Sequence, residues 1–222
     1  MKRDELAHYI DQTTLKPGET MDYITDFCEQ AKKHQFASVC ILPNLIETAA
    51  AALAGSETKV CTVISFPLGC DWPEVKVFET QDALQKGAAE IDLVMNVSAL
   101  KSERYDLVEA ELAGVVKASH EKGAVVKLII ETPLLNEGQI IKACELAEKH
   151  RVDIVKTSTG FSAMLPRATS VQDVELIRSH VKVETGVKAA GGIRTTADAL
   201  AMIAAGATRI GASAGEEIIG GL

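Results

Sequence analysis

Short apolar runs rich in Val and Ile recur along the chain, separated by longer stretches where apolar residues return every three or four positions. The runs read as strands: "SVCIL" at 38–42, "KVCTVISF" at 59–66, "EIDLVMN" at 90–96, "VVKLIIE" at 125–131, "DIVKTS" at 153–158, "GVKAA" at 186–190 and "RIGAS" at 209–213. A weaker run, "YIDQT" at 9–13, makes an eighth. The stretches between them read as helices, among them 21–34, 74–87, 104–123, 136–150 and 195–206. Strand and helix alternate with a period of roughly thirty residues, the pattern of βαβ units and a parallel sheet. Eight such units predict an α/β fold of the (β/α)8 barrel type. A doubly wound open sheet is the alternative, since strand count separates the two poorly.

Four of the five histidines, His34, His120, His150 and His180, each fall where a helix ends and a strand begins, and His8 near the first strand is assigned no role. A cationic ring suits a helix C-terminus, and in a parallel barrel those junctions lie on the face opposite the catalytic loops. Histidine-based chemistry therefore loses most of its support. The chain of 222 residues contains no linker or low-complexity stretch, so one domain over 1–222 is expected, with a short N-terminal extension before the first strand. Apolar residues make up 47% of it, enough for a sizeable core, and the scarcity of aromatics favours helices packed closely on a sheet.

Charge and cysteine usage narrow the partners. A net charge of −8 argues against nucleic acid, and no apolar run is long enough to span a membrane. The N-terminus "MKRDELAHYI" lacks the apolar centre of a signal peptide, so a cytoplasmic location is expected. The five cysteines are odd in number and scattered, with no C-x-x-C pair and no histidine spacing that suggests zinc. They read as reduced thiols, and no metal is expected.

The candidate chemistry lies inside the strands. Side chains alternate across a strand, so Asp92, Val94 and Asn96 share one face, as do Lys127, Ile129 and Glu131, Lys156 and Ser158, and Lys188 and Ala190. In a closed barrel one face points inward, so Asp92, Lys127, Lys156 and Lys188 can converge there. Glu131 lies about 13 Å beyond Lys127 along its strand, at the rim. A lone strand lysine is ordinarily an edge residue whose amine reaches water, and Lys59 is read that way. Three interior lysines near one or two carboxylates cannot all stay charged cheaply. At least one is therefore expected to be a neutral amine, a nucleophile towards carbonyl carbon.

A second signal lies at the last two strand ends. Gly191 and Gly192 precede a helix that Thr195 or Thr196 can cap, and Gly211, Ser213 and Gly215 lead into another. Such loops let backbone N–H groups approach an oxyanion, and barrel enzymes often hold a phosphate there. Arg194 adds a charged contact or pairs with an acidic neighbour.

"IDQTTLKP", "SVCILP", "EIDLVMN", "VKLIIET", "VKTSTGF", "VKAAGGIRT" and "RIGAS", in that order over nearly the whole chain, resemble the successive motifs of the deoxyribose-phosphate aldolase family. The resemblance implies a TIM-barrel class I aldolase that reversibly cleaves 2-deoxy-D-ribose 5-phosphate to acetaldehyde and D-glyceraldehyde 3-phosphate, without metal or cofactor. It implies Lys156 as the Schiff-base nucleophile, Lys188 as the second lysine that lowers the nucleophile's pKa, and Asp92 as acid/base partner. Lys127 then supports the charge network. Gly160, Gly191, Gly192, Gly211 and Ser213 correspond to phosphate-binding loops, and Asp11, Thr13 and Cys40 to the substrate pocket. The family's partners would be small sugar phosphates and aldehydes, with a homo-oligomer, dimer or tetramer, expected. Two features depart from the pattern. Ala189 stands where many relatives carry Pro or Ser, and the sequence stops at "EEIIGGL", without the terminal tyrosine that reaches the active site in some relatives. Two other readings stay open: a phosphate-binding isomerase or lyase using Lys and Asp without a covalent adduct, and a non-catalytic sugar-phosphate-binding barrel.

Overall fold

The computed structural model describes residues 1–161 and 165–222. A short helix α1 (Arg3–Ala7) precedes strand β1 (Ile10–Thr13), and α2 (Met21–Lys33) leads to β2 (Ser38–Ile41). Then follow α3 (Ile46–Ala52), β3 (Lys59–Ile64), α4 (Pro73–Gln85), β4 (Glu90–Val94), α5 (Val97–Lys101), α6 (Tyr105–His120) and β5 (Val125–Ile129). The last third holds α7 (Glu137–Lys149), β6 (Ile154–Lys156), α8 (Val171–His180), β7 (Gly186–Ala190), α9 (Thr196–Ala204), β8 (Arg209–Ala212) and α10 (Gly215–Gly220).

The eight strands are all parallel, pair in sequence order, and close where β8 pairs with β1, Asp11 lying opposite Gly211. Closure settles the choice between barrel and open sheet: this is a (β/α)8 barrel. Apolar side chains on the outer strand faces, such as Ile91, Leu93, Val126, Leu128 and Val155, are buried under the helices. Each contributes on the order of 1.5–3 kcal/mol for the surface it removes from water. The inner face carries polar residues.

Helix ends follow local chemistry. Thr20, Asn136, Ser170 and Thr195 cap α2, α7, α8 and α9 by accepting from a backbone N–H three residues on. His34 and His150 occupy the C-caps of α2 and α7, and His120 and His180 close α6 and α8, as their positions in the sequence predict. Among the described residues no helix is long and apolar enough to cross a membrane.

Several strands are shorter than the sequence suggests, and the backbone shows why. Ser65 and Glu131 take a positive φ of 55°, which ends β3 before 66 and β5 before 131. Asn96 leaves β4 to cap α5 by accepting from Ala99 N–H. Outside the barrel a buried ion pair braces this end of the molecule. Lys76 on α4 pairs with Glu111 on α6, and its ammonium also donates to the carbonyls of Gly69 (2.9 Å) and Val94 (3.0 Å). Glu111 in turn accepts from Asn96 N–H at 2.9 Å. The ends of β3 and β4 are thus tied to the helices behind them.

Candidate active site

The inward face of the barrel holds a closed set of charges. Asp92, in the middle of β4, accepts from three lysines on the next three strands. Lys127 of β5 reaches Oδ1 at 2.9 Å, Lys156 of β6 reaches Oδ2 at 2.6 Å, and Lys188 of β7 reaches Oδ2 at 2.8 Å. The strand register delivers this arrangement: Asp92 lies opposite Lys127, and Lys156 opposite Lys188. The period-two reading of these four residues is correct.

The structure adds members that the sequence reading left out. Glu90 of β4 pairs with Lys127 at 2.6 Å and with Arg209 of β8 at 2.7 Å. Arg209 also pairs with Asp11 of β1, whose other oxygen lies 2.6 Å from Lys188 and 3.2 Å from Lys127. Those two lysine contacts arise from charge proximity, without hydrogen-bond alignment. Cys61 of β3 places Sγ 3.1 Å from Asp92 Oδ1 and 3.1 Å from Lys127 Nζ. Parity was the available signal, since Glu90 shares a face with Asp92, and Arg209 with Gly211.

The expected balance of three lysines against one or two carboxylates is therefore corrected. Four cations, Lys127, Lys156, Lys188 and Arg209, face three carboxylates, Asp11, Glu90 and Asp92. Burial pushes Asp92 up, but the Lys127, Lys156 and Lys188 ammoniums outweigh it and hold the carboxyl well below the usual range. Asp11 is likewise depressed: burial opposes, and Lys127, Lys188 and Arg209 prevail. Burial pulls the Lys188 ammonium down, yet the Asp11 and Asp92 carboxylates lift it above the ordinary lysine value, and Lys127 is raised well above it in the same way. Lys156 differs from the others in place and partners. Among the described residues Asp92 is its one carboxylate partner, and of the three interior lysines it retains exposure, 3% against 0% for Lys127 and Lys188.

Other residues implied by the resemblance sort by depth. Asp11 and Lys127 are fully buried within the charge network. Cys40 is also fully buried, with Sγ 3.9 Å from Asp92 Oδ2, and a hydrogen bond from Cys61 lowers its thiol pKa. Thr13 is half-buried and donates to the carbonyl of Asp11.

The rim forms at the ends of β6 and β7. Thr157 donates to the Ala190 carbonyl and accepts from Ala190 N–H, and the Ser158 hydroxyl accepts from Gly160 N–H. Glu131 accepts from Thr159 N–H at 3.1 Å, which places this carboxylate at the rim as its strand position predicts. Gly160 and Gly191 both have positive φ, and a Cβ at Gly160 would lie 3.8 Å from the Gly191 backbone, so the two loops meet edge to edge. Gly192 is exposed beside them. Ser213 is exposed at the end of β8, and its carbonyl accepts from Gln12. Arg194 is exposed; its backbone N–H donates to Asp198, and among the described residues its side chain makes no ion pair. Gly211 requires a correction: it lies within β8 rather than in the loop beyond, and a Cβ there would come 3.0 Å from Lys188 Cε.

A closed parallel barrel with an interior lysine–aspartate cluster defines the class as a barrel enzyme with amine chemistry available. The comparisons give the family. Residues 6–220 match the DeoC/LacD family aldolases, and the chain belongs to that family. It is 52% identical over 217 residues to the deoxyribose-phosphate aldolase of Streptococcus sanguinis, covering 98% of this chain and 96% of that one. It is 51% identical to the deoxyribose-phosphate aldolase of Halalkalibacterium halodurans, over 97% and 95% of the two chains. Among solved structures it superposes on an aldolase designated QR15 with a TM-score of 0.91 at 41% identity, covering 98% and 95%. A tetrameric deoxyribose-phosphate aldolase from Aeropyrum pernix gives 0.90 at 32% identity, covering 99% and 91%. The protein is an enzyme, a carbon–carbon lyase of the aldolase type.

Proposed function

We propose that the enzyme cleaves 2-deoxy-D-ribose 5-phosphate reversibly to acetaldehyde and D-glyceraldehyde 3-phosphate through an imine on Lys156, in the breakdown of deoxyribose phosphates. The observation that carries the reading is the position of Lys156. Among the described residues it is the interior lysine with one carboxylate partner, and it keeps slight exposure in a cluster holding one more basic group than carboxylates. We assign it the role of nucleophile on that ground. The curated relatives named above act as support for the substrate.

The Lys156 amine adds to the C1 aldehyde of the open-chain sugar, and loss of water gives an iminium. The C2–C3 bond then breaks, its electron pair flowing to the iminium nitrogen as the C3 hydroxyl releases its proton. D-glyceraldehyde 3-phosphate departs, and the two-carbon enamine is protonated at C2 and hydrolysed to acetaldehyde. Asp92 is a weak base while three cations surround it. Bond cleavage turns the Lys156 nitrogen from cationic to neutral, which removes one of those three. The carboxylate therefore gains basicity as the hydroxyl proton has to be taken up, directly or through water or Lys188.

The phosphate end is assigned to the loops of Gly160, Gly191, Gly192 and Ser213, with the unpaired Arg194 side chain available to it. Residues 1–222 act as one barrel domain with α1 as an N-terminal extension. Assembly into a homo-oligomer is supported by the tetrameric Aeropyrum relative and by four large apolar side chains exposed around α4, Leu68, Trp72, Val75 and Phe78. Five scattered thiols with no disulfide among them suit the reducing cytoplasm.

The test compares cleavage of 2-deoxyribose 5-phosphate by the wild type and by Lys156→Ala, with borohydride added during turnover. The expected result is loss of activity in the variant and, in the wild type, a mass increase located on Lys156. Equal activity in the two proteins sinks the assignment. Cleavage without a trapped adduct favours acid–base catalysis by Lys and Asp alone.

A further inference from the structure

We infer that Glu131 is a positioning residue that sets the preference for a phosphorylated substrate: its carboxylate holds the Thr159–Gly160 backbone in the shape that receives the phosphate. The inference rests on the assignment of the Gly160 and Gly191 loops to the phosphate made above.

Glu131 is a buried carboxylate that the proposed mechanism leaves unused. It is 4% exposed, yet among the described residues it pairs with no cation. Burying a carboxylate without a cation is costly, so the contact it does make has to repay that cost. Both its oxygens accept from one backbone group, Thr159 N–H, at 3.1 and 3.3 Å. The residue does so from left-handed backbone, φ 55° and ψ 59°, which a long side chain seldom adopts. Backbone held in such a conformation concentrates at functional sites.

The hydrogen bonds beyond β5 and β6 show what the carboxylate replaces. Past the end of β5, Ile130 N–H donates to the Lys156 carbonyl at 3.0 Å and Thr132 N–H to the Thr157 carbonyl at 2.8 Å. Thr159 is buried next in line, and its N–H finds the Glu131 carboxylate where a strand carbonyl would otherwise stand. A carboxylate suits the task because it accepts and cannot turn a competing N–H towards the backbone. The rest of the loop builds on this anchor. Thr159 Oγ1 accepts from Phe161 N–H at 3.1 Å, and Ser158 Oγ from Gly160 N–H at 3.0 Å. A Cβ on Gly191 would come 3.3 Å from Ser158 Oγ, so the loop after β6 is seated on the loop after β7. Lys156 does not depend on the anchor. Its carbonyl is held by Ile130 N–H, and the next residue, Thr157, donates to the Lys188 carbonyl at 3.0 Å. Releasing Thr159 therefore disturbs the phosphate end and leaves the nucleophile in place.

Glu131→Gly tests this, because glycine takes left-handed backbone freely and removes the acceptor. Glu131→Gln keeps an acceptor oxygen and is the restoring variant. In Glu131→Gly the KM for 2-deoxyribose 5-phosphate is expected to rise on the order of tenfold through the stranded buried donor, with kcat near that of the wild type. For unphosphorylated 2-deoxyribose, kcat/KM should change by less than about twofold. Glu131→Gln should bring the phosphorylated KM back towards the wild-type value. Should the glycine variant not fold, Glu131→Asn tolerates the same backbone and is one methylene shorter. Equal losses on both sugars, an unchanged KM in Glu131→Gly, or no recovery in Glu131→Gln overturns the assignment. Inorganic phosphate titrated into the same proteins by calorimetry separates it from the cleavage reading. A wild type that binds phosphate but cleaves neither sugar refutes the proposed reaction alone. Phosphate binding weakened in Glu131→Gly and recovered in Glu131→Gln then still supports the role of Glu131, and equal binding in all three overturns it. A wild type that neither binds phosphate nor prefers the phosphorylated sugar overturns it as well.

Discussion

Lys188 and Lys156 lie opposite each other on β7 and β6, and both ammoniums donate to the same oxygen of Asp92, at 2.8 and 2.6 Å. They are not equivalent. Lys188 also sits 2.6 Å from Asp11 and is fixed as a cation, whereas Lys156 shares its one carboxylate. Replacing Lys188 by Met leaves Asp92 with two lysines and Asp11 with Lys127 and Arg209, so the fold should survive. Turnover should drop by about 10²–10⁴, the usual worth of a positioned proton-transfer group. Borohydride should still trap an adduct on Lys156. Loss of the adduct in Lys188→Met, with Lys156 intact, would reverse the two roles.

Asp92→Asn tests the carboxylate that organises the cluster. The amide keeps the volume and removes the charge, leaving Lys127 and Lys188 to lean on Asp11 and Glu90 and Lys156 without its carboxylate. Breaking a buried ion pair from one side costs about 3–5 kcal/mol, because the other charge stays buried without its partner. A barrel of this size should then melt on the order of 10 °C lower. Cleavage should fall at least as far as in Lys188→Met. A variant with unchanged melting would show that the network contributes nothing to stability.

The same charges set the pH range of the fold. Asp11 and Asp92 titrate below their ordinary value of 3.8 in the folded chain. Their contribution is present above that value and is lost as pH falls through the lower, folded one. Lys188 and Lys127 titrate above their ordinary 10.5, so their contribution is complete below it and is lost as pH rises through the higher, folded value. Urea denaturation across pH should therefore show a plateau from about 5 to 10 with a fall on either side. Asp92→Asn should flatten the acid limb relative to the wild type. An identical acid limb in the two proteins contradicts the linkage.

Much of this site is legible in sequence, because a strand has a period of two and a barrel has one inner face. Asp92, Lys127, Lys156 and Lys188 follow from parity once the strands are placed. Glu90 and Arg209 obey the same rule but open their strands, where a charged residue ordinarily meets solvent. Their burial depends on closure between β8 and β1, which local sequence does not encode. The Lys76–Glu111 pair lies further out of reach. It joins two helices across 35 positions, and a helix lysine is by default a solvated one. The apolar runs exceed the strands for a local reason: Ser65 and Glu131 adopt left-handed backbone that an apolar run does not announce.

Gly211→Ala separates two accounts of one residue. The resemblance assigns Gly211 to a phosphate loop, in which case a methyl group there should raise KM and leave kcat alone. Its place within β8 points elsewhere. The backbone at Gly211 has no positive φ, so alanine introduces no conformational strain. The added Cβ instead meets Lys188 Cε and Ala190 Cβ, each at 3.0 Å. Ala190 is fixed in the β7 ladder, so the lysine side chain is the group that gives way. A shift of a few tenths of an ångström weakens its contacts with Asp11 and Asp92, and overpacking of this kind costs about 1–3 kcal/mol in stability. Because misplacement by about 1 Å can cost a hundredfold, a kcat reduced roughly tenfold is expected, with KM close to that of the wild type. Steady-state kinetics on the variant decide the matter. A raised KM with normal kcat returns Gly211 to the phosphate, and the reverse pattern assigns it to holding Lys188 in place.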